Sequence, residues 1–196
     1  MKNTQKHASI HNPVFEALVA KGSMVNYREI EVVEYDPSWA IKFDIEREML
    51  QEALGSNAVN IEHIGSTAVF GLAAKPVIDI LVQVSSLKIL DANDEKIQSL
   101  GYEAKGENGI EGRRYFQKGG NKRTHHVHVF QTGDESLIRH RALKEYLIAY
   151  PEITKEYGEI KKQAARNCQN DIALYMSMKN GFIQKHEKLA RRWYGT

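Results

Sequence analysis

The stretch Ile61-Glu62-His63-Ile64-Gly65-Ser66-Thr67-Ala68, followed by Lys75-Pro76-Val77-Ile78-Asp79-Ile80-Leu81-Val82, decides how this chain is read. Val59, Ile61 and Ile64 mark a strand that runs into a Gly65-Ser66 turn. Residues 76–84 are almost continuously apolar, as a strand buried on both faces requires, and are expected at the sheet centre. A glycine in that turn lets backbone N–H groups approach an anion, and the hydroxyls of Ser66 and Thr67 add donors. The plainer reading makes Gly65 an ordinary turn glycine and Ser66-Thr67 a helix N-cap. Asp79 interrupts its apolar run, so its carboxylate has to be paired, hydrogen-bonded or metal-bound, because burying it alone costs several kcal/mol. A phosphate cradle beside an acid able to hold a divalent cation is the layout of a nucleotide-transferring site.

Around this centre the patterns predict a mixed α/β (α+β) chain. Asp36-Pro37-Ser38 opens an amphipathic helix from Trp39 to Leu54, which Gly55 closes. A helix is expected over Asp91–Leu100, an extended piece at Tyr102–Ala104, and a hairpin from residues 113–118 and 124–131. Helices over Ser136–Tyr150, Tyr157–Cys168 and Ile172–Tyr194 complete the chain, with breaks at Pro151 and at Asn180-Gly181. Residues 1–24 read as an N-terminal appendage and 25–196 as one domain, its sheet core at about 25–133 and its helical part at about 134–196.

With 196 residues, 42% of them hydrophobic, the chain can bury a full core without staples. The single Cys168 cannot form an internal disulfide, which points to a reducing compartment, with the cytoplasm as the default. The N-terminus lacks the unbroken apolar run of a secretory signal, and no stretch is long and apolar enough for a membrane span. A net charge of +2 is too small to make nucleic acid the expected main partner.

The segments His63–Val69, Gly71–Pro76 and Ile78–Val82 resemble the GrpB family. Glu34-Tyr35-Asp36-Pro37-Ser38-Trp39, Arg114-Tyr115-Phe116, Thr124–Phe130, and Tyr175 with Lys179 and Phe182-Ile183 match it too, so the resemblance runs from about Val25 to the C-terminus. It implies a nucleotidyltransferase-like fold, a mixed twisted sheet flanked by helices with a C-terminal helical part over a cleft. In that superfamily the strand after the Gly-Ser turn carries two carboxylates one residue apart. Here Val77 and Leu81 flank Asp79 at those positions, so one acid is missing. Holding two metal ions about 3.5–4 Å apart needs more oxygen ligands than one Asp supplies.

His126 and His128 share one face of their strand and can make up the deficit with Asp79 and Glu62, whereas His125 faces the other way. Imidazole ligands shift the preference from Mg toward Mn or Zn. The alternative for the histidines is a solvated strand face, and Phe130 stands where a His-x-His-x-His phosphohydrolase needs its third histidine. Lys75 faces either Asp79 or a phosphate. Of the adjacent Arg113 and Arg114 only one can enter a cleft, and Arg114 is selected; Glu62 and His63 likewise face opposite ways. Tyr157, Tyr175 and Lys179 are either helix core or a substrate wall, and Lys161 belongs to a solvated basic helical face.

The function these residues predict is a metal-assisted enzyme acting on a nucleotide or other phosphorylated small molecule, and the reaction that the resemblance implies is transfer of a nucleotidyl group from a nucleoside triphosphate. Gly65, Ser66 and Thr67 hold phosphate; Asp79, His126, His128 and Glu62 hold Mg, Mn or Zn; Asp79, Lys75 and Arg114 act in the chemistry; His63, Tyr175 and Lys179 are further cleft candidates. A non-catalytic nucleotide- or phosphate-binding module that has lost its second carboxylate is the alternative, and a histidine-based phosphohydrolase the third reading.

Overall fold

A computed structural model describes residues 29–195; the appendage expected over 1–24 lies outside them. Helix α1 spans Ser38–Leu54. Asp36 anchors its start, accepting from the Ser38 N–H at 2.8 Å and from the Ser38 hydroxyl at 2.7 Å. Gly55, at φ 54°, ends it. The strands are β1 (Ala58–Ile64), β2 (Ile78–Val84), β3 (Tyr102–Ala104), β4 (Arg114–Lys118) and β5 (His125–Gln131).

They form one mixed sheet in the order β1-β2-β5-β4-β3. Strand β5 therefore holds the centre and β2 lies beside it, a correction to the expected position of the 76–84 run. The correction follows from the β4–β5 hairpin, which adds its second strand parallel to β2, with Asp79 beside His126 and Leu81 beside His128. On the far side β2 pairs antiparallel with β1, placing Ile64 opposite Asp79.

Period-two alternation gives the sheet two unlike faces. One carries Ile61, Ile78, Ile80, Val82, Val84, Val127 and Val129, all buried under Trp39, Phe43 and Leu50 of α1. Short helices α2 (Leu87–Asp91) and α3 (Glu95–Gln98) cover the rest of this face through Leu90 and Ile97. They replace the single helix expected over Asp91–Leu100, because the Ser86 hydroxyl accepts from the Ile89 N–H at 3.3 Å and caps a helix earlier in the chain.

The other face meets α4 (Glu135–Ala149), where Leu137 packs with Ile64, Leu81 and Phe130. Helix α5 (Pro151–Asn167) begins at Pro151 rather than at Tyr157, since proline in the first helical turn forfeits no internal hydrogen bond. Helix α6 runs unbroken from Ile172 to Tyr194, through Asn180-Gly181 where a break is expected, because a glycine inside a helix lowers its propensity without removing a hydrogen bond. Among the described residues no helix is long and apolar enough to cross a membrane.

Candidate functional site

Asp79 occupies the second position of β2 on the face that looks toward the C-terminal helices. The neighbouring strand brings His126 beside it, and His126 Nδ1 lies 2.9 Å from Asp79 Oδ1. One pleat further on, His128 Nε2 lies 3.8 Å from the same oxygen. Burial opposes ionisation of Asp79, but the His126 hydrogen bond and the pull of both imidazoles override it and hold the carboxyl well below the usual carboxylate range. Burial in turn lowers His128, against the pull of Asp79.

The Gly65 turn is built around this acid. Gly65 has φ 70° and ψ −167°, a conformation that side chains disfavour. A Cβ there would sit 2.5 Å from Asp79 Oδ2. The anion that the missing side chain admits is thus the protein's own carboxylate. Ser66 lines the cleft above it beside Tyr157.

Thr67 is buried, and its hydroxyl donates to the Val77 carbonyl at 3.3 Å, so that proton is spent inside the fold. His63 Nε2 lies 2.9 Å away and supplies the donor to Thr67. His63 is on the opposite, helix-packed face, stacked on Phe43 at 4.8 Å, where burial lowers it to about 4. It is therefore no cleft residue. Glu62 shares the face of Asp79 but is held by Arg141 of α4, whose Nε and Nη2 donate to its Oε1 at 2.8 and 2.5 Å. The structure leaves Glu62 out of the metal-spaced group, which among the described residues is Asp79, His126 and His128, with one ligand atom from each and all within 4.8 Å of one another.

The arginine selected by sequence is also displaced. Arg114 forks onto Asp91 at 2.6 and 2.7 Å on the far face of β4. Arg113 enters the cleft instead, because its face follows Tyr115, which the hairpin register sets opposite His128. Arg113 is buried, lies 4.8 Å over the Tyr115 ring and places Nη1 3.3 Å from His128 Nδ1. Carbonyls of Glu107 and Asn108 accept its Nε and Nη2 at 3.1 and 2.7 Å.

The C-terminal helices supply the opposite wall. Tyr157 and Lys161 of α5 and Tyr175 and Lys179 of α6 line a cleft of about 310 Å³ together with Lys75, Asp79, His126 and His128. Lys75 Nζ lies 5.0 Å and Lys179 Nζ 5.7 Å from the Tyr175 ring centroid, and Lys161 Nζ lies 4.3 Å over Tyr157. Among the lining residues, Lys75, Arg113, Lys161 and Lys179 are basic and Asp79 alone is acidic. The arrangement suits a ligand with several negative charges. A roomier groove of about 540 Å³ lies on the other side of α5, between Phe70 and Ile148, but Lys162 there pairs with Glu34 at 2.6 Å, and among the described residues no cluster of metal-ligating groups converges on it.

Sequence reading missed Arg113, Lys161 and the half-buried His140, whose ring lies 5.2 Å from that of His128 and which desolvation lowers to about 3. Lys161 carried one usable signal: it follows Tyr157 by four residues and so shares its helix face.

The comparisons agree with this architecture. UPF0157 protein YqkA of Bacillus subtilis is 46% identical over 166 residues, covering 85% of this chain. The chain spans about half of that relative's length, 48%. The crystal structure of conserved protein GrpB from Enterococcus faecalis is similar at 43% identity with a TM-score of 0.82, over 85% of this chain and 100% of that one. The Cid1 poly(U) polymerase structure is a distant likeness, 13% identical over 67% of this chain and 44% of that chain with a TM-score of 0.40, too slight to carry an argument. The family described as "GrpB protein" matches residues 29–189, and with the sheet, the Gly65 turn and the Asp79 strand all inside that span, the chain belongs to the GrpB family.

Proposed function

We propose that the cleft is a metal-assisted site for a nucleotide or other phosphorylated small molecule, and that its reaction is transfer of a nucleotidyl group to an acceptor. The observation that carries this reading is the meeting of Asp79, His126 and His128, spaced as metal ligands, with four basic side chains in one cleft. One carboxylate and two imidazoles fit a divalent ion by donor type and spacing, and favour Mn or Zn over Mg. Such an ion, when bound, supplies charge neutralisation and polarisation at a phosphoryl oxygen. Lys75, Lys161, Lys179 and Arg113 bind and orient the phosphates and receive charge that develops on the leaving group. The rings of Tyr157 and Tyr175 wall the cleft and limit water.

Two observations favour the second reading, a binding module without catalysis. Asp79 is the only acid lining the cleft among the described residues. Moreover, Arg113 donating to His128 Nδ1 leaves the ring proton on Nε2, the nitrogen that faces Asp79 and would have to bind an ion. A thermal-shift screen of nucleoside triphosphates with Mg, Mn and Zn separates the two, because a specific ligand raises the melting temperature by mass action. The enzyme reading expects a shift that needs metal and nucleotide together and vanishes in Asp79→Asn and in a His126→Ala, His128→Ala double variant. A shift that needs no metal and survives Asp79→Asn selects the binding module.

A further inference from the structure

Among the described residues Lys161 is the one buried Lys, Arg, Asp or Glu whose charged group has no hydrogen-bond partner. It is 2% exposed, and its Nζ has no hydrogen-bond partner. By contrast the buried Glu46 is closed by Lys118 at 2.5 Å and by the Tyr102 hydroxyl at 2.7 Å. The groups around Lys161 do not complete it. Tyr157 on its own helix offers a ring face, α6 contributes Tyr175 and a second cation in Lys179, and the loop before β2 adds Lys75. Across the cleft stand Arg113, His126, His128 and Asp79, and the last is already engaged by His126 at 2.9 Å. A buried ammonium without a hydrogen-bonding counter-charge is costly, and an anion in the cleft is what would relieve it.

We propose that Lys161 anchors an anion subsite in the helical wall of the cleft, that its occupant is a polyphosphate group, and that the amine takes up a proton as the anion enters. The inference rests on the cleft being a phosphate site but not on the metal. Polyphosphate is chosen over a singly charged anion because the lining carries four basic residues against one acid. Burial, reinforced by Lys179 and opposed by Asp79, lowers Lys161 to about 6, so without ligand the amine is mostly neutral above neutrality. A phosphate oxygen within hydrogen-bond reach favours the ammonium, and the proton comes from solvent; the only covalent bond formed is N–H.

The test is calorimetric titration of inorganic tripolyphosphate, without metal, into the full chain at pH 8 in Tris and in HEPES, whose ionisation enthalpies differ. Because the ligand and the histidines also titrate, the readout is the difference between the wild type and Lys161→Arg, which is charged at all times. The expected difference is about one proton per ligand, with affinity kept in Lys161→Arg and weakened at least about tenfold in Lys161→Met, the loss of one charge-assisted hydrogen bond. Equal proton uptake in wild type and Lys161→Arg overturns the coupling, and unchanged affinity in Lys161→Met overturns the anchor. Should Lys161→Met fail to fold, the wild type against Lys161→Arg still decides. If tripolyphosphate does not bind but a metal–nucleotide does, the subsite falls while the phosphate reading stands; if neither binds, both fall.

Discussion

The two faces of the β2–β5 pair treat charge in opposite ways. On the face under α1–α3 the charged groups of Glu46 and Arg114 are closed within the fold, the first by Lys118 and Tyr102 and the second by Asp91, and His63 is closed by Thr67. On the face under α5 and α6, four basic side chains converge on a single acid, and Lys161 Nζ is left without a hydrogen-bond partner. One face is closed by folding, and the other is the face on which the proposed ligand would complete the charge balance. Neighbouring residues make the contrast sharp, since Arg113, just before β4, turns into the cleft while Arg114, its first residue, turns to the other face.

The largest expected effect falls on the closed face. Ile80 is fully buried there. Ile80→Ala should cost about 2–5 kcal/mol in denaturant unfolding and leave ligand affinity unchanged in the folded fraction. Lys161→Met on the open face should do the reverse, keeping or raising the unfolding midpoint while weakening anion binding, because it removes an uncompensated buried amine. If Lys161→Met is the more destabilising of the two, the division between the faces is wrong.

Gly65→Ala should cost about 1–3 kcal/mol from its backbone conformation, with a further loss from the clash at Asp79. A double-mutant cycle with Asp79→Ala isolates the clash: the alanine at position 65 should be tolerated better once the carboxylate is gone. Additive effects would mean that Gly65 does not exist to seat Asp79. Between the two arginines, Arg113→Met should lower nucleotide affinity by about tenfold, the worth of a charge-assisted contact. Arg114→Met, which breaks a partly exposed pair, should change stability by no more than about 1 kcal/mol and affinity not at all.

The smallest effect is a dependence on pH. His63 is lowered from its ordinary 6.5 to about 4 by burial, so the unfolded chain binds more protons than the folded one between those values. Its contribution is complete above about pH 6.5 and is lost as pH falls toward 4. His63→Phe, which keeps the stack on Phe43, should flatten the fall in unfolding free energy across that window without altering binding at neutral pH.

The fold class was legible because it rests on local patterns: the period of α1, the apolar run of β2, and the glycines that bracket the β4–β5 hairpin. The pairing of His126 with His128 was legible too, since alternation along a strand needs no tertiary information. What was not legible depends on register and on helix docking. The choice of Arg113 over Arg114 follows from Tyr115 standing opposite His128, which the loop between β4 and β5 decides. Glu62 looked available until α4 delivered Arg141 to it. Lys161 read as a solvated lysine because a linear sequence does not say that α5 turns that face onto the Asp79 end of the sheet.

The most direct test of the central claim is pulsed electron paramagnetic resonance of Mn(II) added to the protein with a nucleoside triphosphate. The account predicts nitrogen couplings from the imidazoles of His126 and His128 together with phosphorus couplings from the nucleotide, the nitrogen signal disappearing in the double alanine variant. Phosphorus couplings with no nitrogen signal, unchanged in that variant, would mean that the ion is held by the nucleotide and water alone, and would contradict a metal site built on Asp79 and the two histidines.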